Sequence, residues 1–175
     1  MNQGISKKVK SKINEDLSPT RNLSGLHLKV VAAIAIIWSL FQLWYASPFP
    51  FMFNIGMFKG LPARAIHLGF ALTLAFLIFP TFKGKKISVL DVIISFIGAF
   101  SCLYIYFFYD QLVDRGGVLL NITLGNNFNL PVELIIGGCG ILILLEATRR
   151  VIGLPLVIIA ISFLLFSYFG RYAPE

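Results

Sequence analysis

Charge is scarce in this sequence. Asp, Glu, Lys and Arg make up 13% of its 175 residues, against 57% hydrophobic ones. Soluble domains of this length carry roughly a quarter charged residues, so a water-soluble globule is excluded. Histidine and cysteine are scarce too, at two of each. Cys102 and Cys139 both lie inside apolar runs, where they suit packing and neither a disulfide framework nor a metal site. There is no glycine-rich phosphate loop, no H-E-x-x-H, no G-x-S-x-G and no cysteine cluster. The expectation is a chain that is not an enzyme and holds no cofactor and no metal.

What the sequence does have is apolar length. Mean hydropathy is +0.82, and 17 Phe, 6 Tyr and 2 Trp fit a lipid-facing surface with interfacial aromatic anchors. Five spans of about 20 residues need about 100 residues, which leaves no room for a separate catalytic domain. The sequence reads as an all-α integral membrane protein of about five transmembrane helices. A basic tail at 1–26 precedes a helical membrane domain at 27–175, with spans at about 28–46, 65–82, 89–108, 130–145 and 153–169. The last two are separated only by Glu146 to Ile152 and form a tight hairpin.

The tail sets Lys7, Lys8, Lys10, Lys12 and Arg21 against Glu15 and Asp16 and has no apolar run, so it does not read as a signal peptide. With the N-terminus in the cytoplasm, the outer segments keep only Lys59, Arg64, Arg115 and Arg171 of the fifteen Lys and Arg residues. That asymmetry fits an odd number of spans, cytoplasmic N-terminus and outer C-terminus. It also accounts for the +7 net charge through anionic lipid headgroups, without nucleic acid.

Element ends carry local signals. Ser88 and Asp91 form a capping arrangement for the third helix. Asn129, Pro131 and Glu133 supply a cap, a first-turn proline and a favourable charge for the fourth. Gly153 and Pro155 stop one helix and start the next. Ser47 to Ala63, with three prolines among four phenylalanines, reads as an interfacial stretch along the outer headgroups.

Small residues mark helix contacts, because they let backbones approach. Ala32, Ala35, Ser39, Gln42 and Ala46 form one stripe of the first helix, with Gln42 able to hydrogen-bond across it. Ser95, Gly98, Ala99 and Cys102 in the third, and Gly137, Gly138 and Gly140 in the fourth, read the same way. Glu146 lies one turn before Arg149 and Arg150, an order that favours ion pairing and suits the helix dipole. These three residues, with Arg64 and His67 of the second helix and Gln42 of the first, are the candidate subunit-interface or membrane-anchoring residues. His67 has no acids at mid-membrane to relay protons with, and reads as a hydrogen-bonded interfacial residue.

Two stretches resemble a known family. Arg64-Ala-Ile-His67-Leu-Gly-Phe-Ala-Leu with Phe79-Pro80, and Leu145-Glu-Ala-Thr-Arg-Arg-Val-Ile-Gly-Leu-Pro155 followed by Phe166-Ser-Tyr-Phe-Gly170 and Tyr172-Ala-Pro174, look like the small-membrane-subunit region of TAXI-type TRAP transporter permeases. In that family this region is usually fused to a large transport subunit. The resemblance implies a scaffold in a bacterial or archaeal cytoplasmic (inner) membrane. Its implied partners are the large permease subunit and a periplasmic solute-binding protein that delivers an organic solute, such as a carboxylate, for sodium-coupled uptake. The chain would then be an unfused small subunit or a piece of a fused permease. The alternatives are the small subunit of a tripartite tricarboxylate transporter, against which the Glu-Ala-Thr-Arg-Arg stretch weighs, and an independent membrane sensor or enzyme using His67.

Overall fold

The computed structural model describes residues 20–21, 23–58, 60–81, 88–116, 118, 121–124 and 128–170; for 121–131 the description is of the backbone. Among these residues, α1 (Leu26–Ala46), α2 (Phe49–Phe53), α3 (Gly60–Ile78) and α4 (Val89–Asp114) are followed by an antiparallel hairpin. Its strands are β1 (Asn121–Leu124) and β2 (Phe128–Pro131), and α5 (Val132–Val151) and α6 (Leu154–Phe169) complete the chain. The protein is an all-α membrane protein to which one short hairpin is added, with Asn121 paired to Pro131 and Leu124 to Phe128.

Helices α1, α3 and α4 are long and apolar enough to cross a membrane, and α6 is a shorter apolar helix. Their apolar residues lie on all sides, as expected where lipid and neighbouring helices share the surface, and a helix satisfies its own backbone groups in hydrocarbon. Every 18-residue stretch of the 20-residue α5 includes at least three of Glu133, Glu146, Arg149 and Arg150.

The helix ends have local causes. Helix α3 begins at Gly60, with Pro62 in its first turn where a missing N–H is harmless, and stops at Ile78 because Phe79 precedes a proline and is pushed away from helical backbone. Helix α4 runs on past residue 108 to Asp114. It ends at Gly116, whose φ of 56° only glycine adopts freely and whose N–H donates to Val113 O at 3.0 Å. Two expected caps fail. Asn129 and Pro131 lie in β2, not at a helix start, and α5 opens at Val132 with Glu133 in its first turn. Ser88 makes no side-chain capping hydrogen bond, and the Asp91 carboxylate is engaged elsewhere. Gly153 does divide α5 from α6, at φ 110°, with Pro155 in the first turn of α6.

Helix α3 packs on α1, α4 and α5; α4 also packs on α5, and α6 packs on α5. One apolar cluster joins Leu72, Phe76, Cys102 and Ala147, and a second joins Val31, Leu74 and Leu77. Small residues set the α3–α4–α5 spacing. A Cβ placed on Gly98 would lie 3.0 Å from Ile143 Cγ2, one on Gly69 would lie 3.4 Å from Cys102 Cβ, and one on Gly140 would lie 3.4 Å from Ser101 Cβ. Gly137 and Gly138 instead face open space. The face α1 turns to α3 is built from Val31, Ile34, Ala35 and Trp38, while Ala32, Ser39 and Ala46 of the expected stripe are exposed.

This contrast is testable. Gly98→Leu overpacks the α4–α5 contact, costs about 1–3 kcal/mol and lowers the midpoint of thermal unfolding in detergent by on the order of 5 °C. Gly137→Leu leaves that midpoint unchanged. Equal effects would show that α4 and α5 do not meet at Gly98.

Candidate functional site

The main polar assembly gathers at one end of the bundle, where α1, α4 and α6 begin and α3 and α5 finish. Helix α3 ends there with carbonyls that no later turn can satisfy. Two arginines from distant parts of the chain take them: Arg21 donates from Nη1 to Leu77 O at 3.2 Å and from its backbone N–H to Ile78 O at 2.9 Å, and Arg150 Nη1 donates to Phe79 O at 3.3 Å. Cations at a helix C-terminus are also favoured by its dipole.

Between these arginines stands Asp91, in the first turn of α4 and fully buried. Its Oδ2 accepts from Arg21 Nη2 at 2.7 Å and its Oδ1 from Arg150 Nη1 at 2.9 Å. The Thr81 hydroxyl and backbone N–H both donate to Oδ1. The Arg21 and Arg150 side chains are 1% and 5% exposed. Arg150 also lies over the Phe76 ring, 4.8 Å from its centroid, a cation–π contact.

Arg150 extends the network outward. Its Nε donates to Glu146 Oε1 at 2.8 Å, and Arg149 grips the same carboxylate through Nε at 2.7 Å and Nη2 at 2.8 Å. The expected Glu146, Arg149 and Arg150 group is thus assembled, but the two arginines differ. Arg149 is half exposed and bound to Glu146, whereas Arg150 is buried and reaches across to α3 and α4. Arg21 is a correction to the sequence reading: it belongs to the packed base of the bundle, although it lies within the basic N-terminal segment. Asp91 is a second correction, from helix cap to the centre of an ion network.

At the opposite ends of α4 and α5, Arg115 Nη2 donates to Glu133 Oε1 at 2.6 Å, and the Tyr104 hydroxyl donates to the same oxygen at 3.3 Å. Arg21 Nε and Arg115 Nη1 are buried without a hydrogen-bond partner among the described residues.

The third polar group joins α1 to α3. Trp38 Nε1 donates to His67 Nδ1 at 3.3 Å, the Gln42 amide donates to the same nitrogen, and the Trp38 and His67 rings meet edge to face with centroids 5.0 Å apart. Gln42 therefore hydrogen-bonds across the α1–α3 contact, as its place on α1 suggests. Nothing in the sequence marks Trp38 as a second partner of His67. Arg64 is exposed and, among the described residues, has no hydrogen bond or ion pair to any of the three polar groups. No set of three or more metal-ligating side chains is grouped among the described residues. Comparison with protein-family models, curated proteins and solved structures finds no match to this chain.

Chemically, this is a set of clamps. Removing the common carboxylate leaves two buried cations facing each other, a change that costs about 3–5 kcal/mol. Asp91→Asn should therefore destabilise the protein nearly as much as Asp91→Ala, although asparagine caps helices as well as aspartate does. The double variant Arg21→Ala/Asp91→Ala should lose less than the sum of the two single variants, read as a double-mutant cycle on thermal unfolding in detergent. A stable Asp91→Asn protein would return Asp91 to the role of a cap.

Proposed function

We propose that this chain is the small membrane subunit of a TAXI-type TRAP transporter, a scaffold that holds a large permease subunit in a bacterial or archaeal cytoplasmic membrane. In this reading the N-terminus is cytoplasmic, and the Asp91 network lies at the cytoplasmic face. A periplasmic binding protein delivers an organic solute such as a carboxylate, and the large subunit carries it in with sodium.

The observation that carries the proposal is the division of α5 between two uses. One side of this helix is clamped to α3 and α4 through Arg150, Ile143 and Gly140, while Gly137 and Gly138 face open space. Adjacent small residues on an apolar helix admit the close approach of another helix, as a scaffold for a larger membrane subunit requires. The arrangement of charge agrees with a supporting role. The buried ionic groups Arg21, Asp91 and Glu133 sit in pairs at the two ends of the bundle. The motif residues Glu146, Arg149 and Arg150 serve the clamp itself.

The test is purification of the tagged chain from its native membranes in mild detergent, with identification of the chains that come with it. A large polytopic membrane subunit should accompany the wild type in a defined ratio. Gly137→Leu should lose that subunit while keeping the thermal stability of the isolated chain. Solute uptake by vesicles holding this chain alone would overturn the proposal.

A further inference from the structure

Helix α3 lies against α1, α4 and α5, and from Leu68 to Ile78 none of its residues is exposed. Its first third is different. Leu61, Arg64 and His67 are all exposed, and a spacing of three keeps them on one face of the helix. Two polar groups stand on this uncovered face. Arg64 has no hydrogen bond or ion pair among the described residues. The His67 ring is held at Nδ1 by Trp38 and Gln42, and its Nε2 has no partner among the described residues.

Two helices agree on the depth of this ring. His67 follows Gly60, the start of α3, by two turns, and Trp38 precedes Ala46, the end of α1, by a little more. Their contact therefore lies about 10–12 Å in from the helix ends, well inside a hydrocarbon core about 30 Å thick. Arg64 is one turn nearer the surface, and its long stem alone would let it reach lipid phosphates. His67 cannot follow, because its stem is one carbon and its ring is fixed by two hydrogen bonds and an edge-to-face contact. Hydrocarbon offers a ring nitrogen no partner, and leaving it unpaired there is costly. The matching group has to be a polar side chain brought to that depth by another membrane-spanning helix.

Charge complementarity selects what that helix carries. An arginine within a membrane segment is made tolerable by pairing with a carboxylate. A second copy of this chain does not offer one. Among the described residues, Asp91, Glu133 and Glu146 are ion-paired, Asp110 is already engaged, and Asp114 is the last residue of α4, at the end of the span and not at the depth of His67. We infer that the face of Leu61, Arg64 and His67 is a docking surface for a transmembrane helix of a different protein, one Asp or Glu of which pairs with Arg64 and meets Nε2 of His67. The surface is independent of the transporter reading, because it asks only for a second membrane protein and lies on α3, not on α5.

The test replaces Leu61 of the full-length protein with the photo-cross-linking residue p-benzoylphenylalanine, which leaves Arg64 and His67 in place, and irradiates native membranes. Mass spectrometry of the cross-linked peptides should find a membrane-spanning segment of another protein, with an Asp or Glu within about one helical turn of the point of attachment. Adding Arg64→Gln should lower the cross-link yield by about tenfold, while the thermal unfolding midpoint of the isolated chain in detergent stays unchanged. His67→Phe, which keeps a ring against Trp38 but no nitrogen, should lower the yield as well. Arg64→Glu combined with exchange of the partner's acid for arginine should restore it, a rescue that an arginine held only by lipid phosphate would not show. Adducts with lipid alone, cross-links to a second copy of this chain, a partner segment with no acid at that level, or an unchanged yield in Arg64→Gln would each overturn the proposal.

Discussion

A carboxylate taken out of water has to be matched charge for charge, and Asp91 is matched twice over. Desolvating two ions costs several kcal/mol apiece and is recovered only where geometry is good and spare lone pairs are satisfied. Both Asp91 oxygens are engaged by guanidinium groups, and Thr81 adds two further donors. The arginines are held in turn by the open carbonyls at the end of α3. Four separate parts of the chain therefore meet at one side chain: the segment before α1, the end of α3, the start of α4 and the end of α5.

Between membrane helices, apolar contact alone supplies little preference, because lipid tails are as apolar as leucine. Selectivity has to come from close fit and from polar pairing. Fit is supplied at Gly69, Gly98 and Gly140, each facing a side chain of a neighbouring helix. Pairing is supplied by the ion networks at the two ends of α4 and α5 and by the Trp38–Gln42–His67 group between α1 and α3. Helix α6 has neither kind of contact in quantity, and Val157 is its one buried residue among those described.

The all-α membrane architecture was legible because hydropathy and length act locally. The contact made by Gln42 was legible because a polar amide in an apolar helix must find a partner. The grouping of Glu146 with Arg149 and Arg150 followed from helical spacing. Asp91 was misread for a related reason. In sequence it stands three residues after Ser88, a capping pattern, and nothing local reveals that Arg21, seventy residues earlier, turns in to meet it. The burial of Arg150 was hidden in the same way, because its neighbour Arg149 has the same charge and the same dipole environment. Pro131 was misplaced because a proline before a helix and a proline ending a strand have the same local sequence.

The position of Arg21 has a mechanical consequence. It lies five residues before α1, yet its backbone N–H and its side chain are both bonded to the end of α3 and its guanidinium to Asp91. A pull on the N-terminal segment is therefore borne first by the α3–α4 junction, and α1 is shielded from it. Whatever the basic residues before Arg21 hold on to, the load passes to the centre of the bundle and leaves the helix that follows them in sequence undisturbed.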